Sequence, residues 1–298
     1  MPDTETIRTT RVAVNLLGDG YVEAVPDQAL LDVAKQQCRS THKKICGQAS
    51  YVPILEAPGK TGIGRFGWKD QHASLLSFAA DAYVNEMGIT NRLLPDEITA
   101  LCNTASEPND KPGPDGLADL DHFARFIRAS EAPPRDAALA ATAEAEEGSQ
   151  LFDKIGCNIC HVPTLVTAPT GTAIEGGTFI VPAALGDKTI HPYSDFLLHD
   201  VGTGDGIVPA MQEHYGAAAM KRPWANFTYA SLQEAADKIR TAPLWGLRTH
   251  SRLMHDGESL TPTDAILRHA GEARKVIEKF RRLKPKEKEA LLAFLRSL

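Results

Sequence analysis

The pattern of apolar and polar residues along the chain predicts a mainly α-helical fold with long irregular loops. Apolar positions recur every three or four residues in several segments, as they do on the buried face of a helix. The predicted helices are a short one that starts at Pro26 and those within residues 72–88, 117–130, 148–157, 231–247, 260–283 and 284–298. Residues 162–230 are rich in glycine, proline and threonine and lack a helical period, so they are predicted to form loops.

A change in composition over residues 131–147 predicts a domain boundary. Two prolines end the preceding helix, and the alanines and glutamates that follow offer few large apolar side chains for a core. The chain has 298 residues, 43% of them hydrophobic, which is enough for two modest cores. We therefore expect two domains, residues 1–130 and residues 131–298.

Charge and hydropathy exclude two classes of partner. The net charge is −6 and no stretch is basic enough to attract a phosphate backbone, so we expect no nucleic-acid partner. No apolar run approaches the roughly 20 residues that a membrane-spanning helix needs, so we expect no membrane span. The N-terminus, "MPDTETIRTTRV", is polar and shows no signal peptide.

The segment "GCNICH" contains the motif Cys157-x-x-Cys160-His161, which is typical of covalent c-type haem attachment. Two thiols three residues apart can reach the two vinyl groups of one porphyrin edge, and the histidine that follows can bind the iron from the same turn. A thioredoxin-like redox pair would need a βα pattern around the motif, which is absent. A zinc site would need a second ligand pair at short spacing, and the next histidine is His191, within a predicted loop.

The chain contains three other cysteines. Cys38 and Cys46 could form a disulfide, although no pattern requires it. Cys102 is predicted to be a buried helical thiol. The segment "CRSTH" (38–42) keeps one cysteine and the histidine of a haem motif, which suggests a single thioether, but coincidence in a polar surface segment is the simpler interpretation.

Several segments resemble the di-haem oxidoreductases often labelled thiol oxidoreductases, which are kin to bacterial di-haem cytochrome c peroxidases and MauG-like enzymes. The matching stretches, in family order, are "LLGDGYVEAVPD" (16–27), "GRFGWKDQ" (64–71), "NEMGIT" (85–90), "GCNICH" (156–161), "HPYSDFLLHDVG" (191–202), "RTAPLWGLR" (240–248) and "LMHDGESLTPTDAILRHAGEA" (253–273). The last of them is the most specific.

The resemblance implies two c-type haems, one in each domain, whereas this sequence contains one such motif. The family's first motif would lie ahead of residue 1. We therefore expect a cytochrome c-like domain from residue 131 with one covalently bound haem c, preceded by an incomplete α-helical haem-type domain without its own motif.

The resemblance also singles out His269 as the iron's second axial ligand, opposite His161. In the related peroxidases a "HDG"-type turn is followed fourteen positions later by this ligand, and His269 stands fourteen positions after His255. The residues themselves agree, because Thr261 to Asp264 form a capping box that starts a helix with His269 on its apolar face. An ordinary core histidine would give the same pattern.

Other side chains are expected around the haem. Met254 is the alternative axial ligand and would give a haem of higher potential. His255, Arg240 and Arg248 are expected to be partners of the haem propionates or of the iron ligands, because buried carboxylates need charged donors. Loop-bracing or surface charge is the alternative for them.

Two residues of the first half correspond to functional positions of the peroxidases. Glu86 matches a glutamate that moves a proton during peroxide cleavage, but without a haem in this half a helix-end carboxylate is the simpler interpretation. Trp68 could carry electrons between haems, although a packing aromatic explains it as well.

These expectations lead to three hypotheses. The first is an electron-transfer haem protein that forms part of a di-haem oxidoreductase. The second is a peroxidase-type enzyme whose first haem comes from missing sequence or a partner. The third is a haem-free remnant or interaction module. The partners expected for the haem protein are small redox proteins or another haem domain, in the periplasm or otherwise exported.

Overall fold

A computed structural model describes residues 9–96, 108–207 and 235–298, and within these ranges the fold is mainly α-helical, as predicted. The helices are α1 Asp19–Glu23, α2 Asp27–Ser40, α3 Leu75–Met87, α4 Asp119–Ala129, α5 Ala137–Ala140, α6 Ala143–Ile155, α7 Pro262–Arg268, α8 Arg274–Arg282 and α9 Pro285–Ser297. No helix among these residues is long and apolar enough to cross a membrane.

The strands are short and pair locally in antiparallel fashion. They are β1 Tyr51–Pro53, β2 Thr61–Ile63, β3 Leu165–Val166, β4 Ala173–Ile174, β5 Phe179–Ile180, β6 Thr189–Ile190, β7 Leu198–His199 and β8 Ile239–Arg240. The pairs are β1–β2, β3–β6, β4–β5 and β7–β8. Apart from these two-residue strands and single helical turns, residues 162–207 form the predicted irregular loops.

Helix boundaries follow from local capping chemistry. The Ser74 hydroxyl accepts a hydrogen bond from the Ser77 amide at the start of α3, and Gly88 ends that helix in the left-handed conformation, as the sequence predicts. Thr261 caps α7 through the amide of Asp264, and Pro262 occupies the first turn.

Two predicted helices differ from the structure. Of the helix expected within residues 231–247, only Ala235 and Ala236 are helical among the residues described, and Ile239–Arg240 forms β8, because Leu198 and Arg240 pair across the strands. The single helix expected over residues 260–283 breaks after Arg268, and His269 has an extended backbone.

The described cysteines outside the motif form a disulfide, Cys38–Cys46, with Cα atoms 4.5 Å apart. The bond excludes Cys38 from haem attachment, and His42 is exposed, so "CRSTH" is not a second haem site. Cys102 lies outside the described residues.

The main hydrophobic cluster combines residues from both sides of the predicted 130/131 boundary. Val22 and Phe66 come from the first part, and Leu165, Phe196 and Trp245 come from the second. A second cluster, which includes Phe152, Val276, Phe280 and Phe294, joins α6, α8 and α9. The division into residues 1–130 and 131–298, with an incomplete first domain, therefore stays a prediction.

The helices α6 and α9 cross in close contact at Gly148. A Cβ atom on Gly148 would overlap the carbonyl of Ala290 and lie 2.8 Å from the Cβ of Phe294. Beside this crossing, the rings of Phe152 and Phe294 pack edge to face with centroids 5.3 Å apart. Because the Cys157 motif begins directly after α6, the crossing determines where the motif lies.

We predict that Gly148→Val destabilises the protein by about 3 kcal/mol, because a buried overlap with a helix carbonyl forces α6 and α9 apart. Urea unfolding measures the change. The matched control is Gly113→Ala, where the nearest atom to an added Cβ lies 3.4 Å away, in ordinary contact. Equal stability of the two variants would contradict the importance of the crossing.

Candidate functional site

A largely apolar cavity of about 250 Å³ lies between the end of α6, the helices α7–α9 and the segment that follows β8. Val276 and Ile277 of α8 and Leu291 and Leu295 of α9 form part of its wall. All but two of the site residues predicted from the sequence line this cavity, and so does the alternative ligand Met254. The predicted residues that line it are Cys157, Cys160, His161, Arg240, His255 and His269. The exceptions are Glu86 and Arg248.

The Cys157 motif follows α6 in a tight turn. Gly156 ends the helix with φ 101°, and Cys157–Ile159 form one 3₁₀ turn. Both thiols are free. Burial raises the pKa of Cys157 to about 12 and also raises the pKa of Cys160. Thiols with raised pKa values stay protonated, unlike the activated thiol of a redox pair.

The ring of His161 is held in one tautomer. Its Nδ1 lies 3.0 Å from the carbonyl oxygen of Tyr193. Because a carbonyl can only accept, Nδ1 carries the proton and Nε2 keeps its lone pair. Burial, together with the nearby charge of His269, lowers the pKa of His161 to about 4. A neutral imidazole with a free Nε2 is the form that binds iron.

His269 repeats this arrangement from another part of the chain. Its Nδ1 lies 2.7 Å from the carbonyl oxygen of Ala265, one turn earlier in α7. Burial also lowers the pKa of His269, so its Nε2 likewise keeps a lone pair that can bind a metal. His269 is the residue at which α7 ends, so the side chain reaches the cavity from a helix terminus and not from the continuous apolar face that the sequence suggests.

Met254 and His255 also line the cavity. Met254 lies in a turn with φ 66°. His255 is buried, burial lowers its pKa, and its Nδ1 has no hydrogen-bond partner among the described residues. Its ring packs edge to face against Trp68, which also lines the cavity and donates from Nε1 to the Val12 carbonyl at 2.8 Å.

Arg240 and Arg248, which the sequence analysis treats alike, have different positions. Arg240 is buried, lines the cavity and donates from Nη1 to the Arg65 carbonyl at 2.8 Å. Its Nε has no hydrogen-bond partner among the described residues. Arg248 is exposed, does not line the cavity and donates to the Leu298 carbonyl at 3.0 Å, so it braces the C-terminus of the helix α9.

Glu86 is remote from this site. It is exposed in the last turn of α3 and does not line the cavity, which fits the interpretation as a helix-end carboxylate.

His199, a buried histidine at the cavity wall, has no local sequence pattern that marks it as part of the site. Its Nε2 lies 2.9 Å from Asp195 and its Nδ1 lies 2.8 Å from Glu272. Burial lowers the pKa of His199, but the attraction and hydrogen bonds of Asp195 and Cys160 together outweigh burial and hold this pKa well above its usual range. The Sγ atom of Cys160 is 3.7 Å from Nδ1.

Gln37 connects this network to the motif. Its side chain donates to Asp195 and to the Ile159 carbonyl, both at 2.6 Å, and accepts from the Gly47 amide. Glu272 accepts from the amide of Cys46 in the disulfide. The motif loop is therefore fixed by side chains that lie far away in the sequence.

Three of these residues also form a possible metal site. Donor atoms of Cys160, Asp195 and His199 all lie within 4.8 Å of one another. However, both nitrogens of His199 face carboxylates, and an imidazolium cannot bind a metal. The arrangement therefore favours a charged hydrogen-bond network over a zinc site.

Comparison with known proteins places the chain in a family. The family model described as "Di-haem oxidoreductase, putative peroxidase" matches residues 3–298. The chain belongs to the di-haem oxidoreductase family. Family membership supports a haem cofactor and oxidoreductase chemistry, and the cavity's apolar walls, paired thiols, neutral imidazoles and buried Arg240 fit this cofactor.

Solved structures give more distant likenesses to this di-haem oxidoreductase. Hydrazine synthase from Kuenenia stuttgartiensis is 17% identical, with a TM-score of 0.43 over 98% of this chain and 90% of that chain. A MauG-like protein associated with microbial copper homeostasis is 15% identical, with a TM-score of 0.42 over 100% and 94% of the two chains. At these TM-scores neither likeness carries an argument. No curated protein matches the chain.

We predict that His199→Gln lowers the free energy of unfolding by about 3 kcal/mol, because Asp195 loses its charged partner in a buried site. A histidine whose folded pKa is raised stabilises fully below its unfolded pKa of about 6.5, and this contribution disappears as the pH rises through the folded pKa. The difference between wild type and variant should therefore be largest near pH 6 and shrink at alkaline pH.

Urea unfolding at a series of pH values measures this difference. His122→Gln is the matched control, because His122 pairs with Asp115 at an exposed site. A wild-type–variant difference that stays constant with pH would show that His199 contributes through packing and not through its charge.

Proposed function

We propose that this di-haem oxidoreductase carries one c-type haem, attached through thioethers to Cys157 and Cys160, and that it acts in electron transfer. The observation that carries the proposal is the convergence of these two free thiols with the unprotonated Nε2 atoms of His161 and His269 on one apolar cavity. Haem, once bound, supplies a one-electron carrier.

The protein's own residues would give the iron two axial ligands. His161 is the proximal ligand and His269 the distal ligand, each oriented by a backbone carbonyl. Two imidazole ligands leave no coordination position for peroxide, and they give a lower potential than an imidazole with a thioether. Met254 and His255 are the alternative distal ligands, since both line the same cavity.

Arg240 is proposed as the partner of a haem propionate. It is buried and lines the cavity, its Nε has no hydrogen-bond partner among the described residues, and a buried carboxylate needs a charged donor. His255, whose Nδ1 has no partner among the described residues, is a second hydrogen-bonding group for a propionate.

A peroxidase-type oxidoreductase is the second candidate, because the family description includes peroxidase activity. It would need a first haem from sequence beyond this chain or from a partner. Glu86, the candidate proton-transfer residue, is exposed and lies away from the cavity. A pyridine haemochrome assay separates the candidates: one haem per chain supports electron transfer, two haems support the peroxidase, and none supports a haem-free module.

The same chemistry suggests location and partners. Thioether attachment and the Cys38–Cys46 disulfide both suit an oxidising compartment, so we place the protein in the periplasm or otherwise outside the cytoplasm. Its partners are small redox proteins or another haem domain.

We predict that replacing both Cys157 and Cys160 with Ala abolishes covalent haem, because no other described thiol is free to form a thioether. Haem staining of a denaturing gel measures the loss. The matched control replaces Cys38 and Cys46 with Ser and should keep the stain. Covalent haem in the Cys157/Cys160 variant would refute the assignment.

We predict that His269→Ala changes the ferric haem from low spin to high spin, because the distal coordination position opens to water. Absorption spectra with and without cyanide measure the change. His250→Ala is the control, because His250 lines the cavity but is exposed. A His269 variant that stays low spin would move the role to Met254 or His255, and a near-infrared thioether–iron band in the wild type would assign it to Met254.

A further inference from the structure

The C-terminal segment of the chain is strongly basic although the whole chain is acidic. Residues 274–288 contain eight lysines and arginines and two glutamates, a net charge of +6 in a chain whose net charge is −6. The expectation that no stretch of the chain is strongly basic is therefore wrong for this segment. The remainder of the chain is therefore about twice as acidic as the total suggests.

The basic side chains share the outer surface of α8 and the start of α9. We call this surface the cationic face, and its exposed members are Arg274, Lys275, Lys279, Arg281, Arg282, Lys284 and Lys286. No carboxylate among the described residues forms an ion pair with any of them, whereas Arg296 nearby does pair with Glu289. Glu278 is the one carboxylate exposed on α8 and forms no ion pair with these cations, so the cationic face keeps a strong net positive charge.

The opposite side of α8 is the wall of the haem cavity. Val276 and Ile277 are buried and line the cavity, and Phe280 is buried in the core beside it. A single helix of nine residues therefore separates the cationic face from the cavity. A molecule bound to the cationic face would lie one helix thickness, on the order of 10 Å, from the cofactor.

Lys279 connects the two sides most directly. Its Nζ donates to the carbonyl of Ile155 at 3.1 Å, two residues before Cys157 in the chain. The charge of Lys279 also acts on the Cys157 thiol. Lys279 thus ties the cationic face to the end of α6, directly before the Cys157 motif.

We propose that the cationic face is the docking surface for a small acidic redox protein. The inference rests on the proposed haem function and adds the site at which electrons enter. In the transfer one electron passes from the reduced partner to the ferric iron, so the partner is oxidised by one electron, the iron is reduced by one, and no bond changes.

Complementary charge favours a protein over other anionic partners. A membrane-surface helix inserts its apolar face into lipid, but the apolar face of α8 is committed to the core through Val276, Ile277 and Phe280. A nucleic acid would bring phosphate against the acidic remainder of the chain. A small acidic protein can match the cationic face alone, and long-range attraction would raise its association rate at low salt.

The experiment measures reduction of the haem in the holoprotein by a reduced plant-type [2Fe–2S] ferredoxin, used as the acidic probe, in stopped-flow mixing. The test variant combines Lys275→Glu with Lys286→Glu. Both residues are exposed and lie in the first turn of a helix, where a carboxylate is favourable, so the variant keeps its fold. The control combines Lys111→Glu with Arg125→Glu, which reverses two exposed cations outside α8 and α9.

We expect the bimolecular rate for wild type and control to fall steeply between 10 and 200 mM salt, and the rate for the test variant at low salt to fall about tenfold or more. Photoreduced 5-deazariboflavin, an uncharged reductant, should reduce all three proteins at equal rates. If it reduces none, or no haem is attached, the proposed function fails. If 5-deazariboflavin reduces all three proteins while ferredoxin reduces the wild type and the test variant at equal rates, only the docking proposal fails.

A sedimentation assay with anionic phosphatidylglycerol vesicles tests the membrane alternative. We expect wild type and test variant to stay in the supernatant equally. The docking proposal would be overturned if the wild type bound the vesicles, the test variant did not, and the two proteins were reduced by ferredoxin at the same rate. The cationic face would then be assigned to a lipid surface.

Discussion

The close crossing of α6 and α9 at Gly148 is the contact on which the site depends. Because no side chain separates the helices there, the end of α6 lies directly beside Leu291 and Leu295 of α9, which line the cavity. The motif starts one residue after α6, so the position of both thiols is fixed by this backbone contact. Aromatic packing of Phe152 on Phe294 then fills the remaining space.

Two histidines beside this contact are removed from water, where a charged imidazole would be costly. The fold avoids this cost by keeping both of them neutral. His161 and His269 each donate Nδ1–H to a backbone carbonyl, which satisfies one nitrogen and directs the other toward the apolar cavity. His199 follows the opposite rule, since two carboxylates keep it charged. Identical side chains around one cavity thus differ in charge according to the acceptor that each one meets.

Much of this arrangement can be predicted from sequence where the signal is local. The Cys157 motif, the cap at Thr261 and the left-handed Gly88 depend on residues within a few positions of one another. The break at His269 depends on a distant contact, because the amides of Ala270 and Glu272 donate to the carbonyls of Val201 and Asp200 and pull the chain out of the helix. The His199 network was unpredictable for the same reason: its members Gln37, Asp195 and Glu272 come from three remote segments.

The distribution of charge gives the last constraint on function. An acidic chain that held an anionic cofactor and received an acidic partner would repel both, unless its cations were concentrated at the points of contact. Arg240 and His199 place positive charge within the cavity wall, and α8 places it on the outside of the same wall. The inner cations are buried, so salt screens them little, whereas the outer ones face solvent and are screened increasingly as salt rises. Salt should therefore change how fast a partner arrives and leave the chemistry of the bound cofactor nearly unchanged.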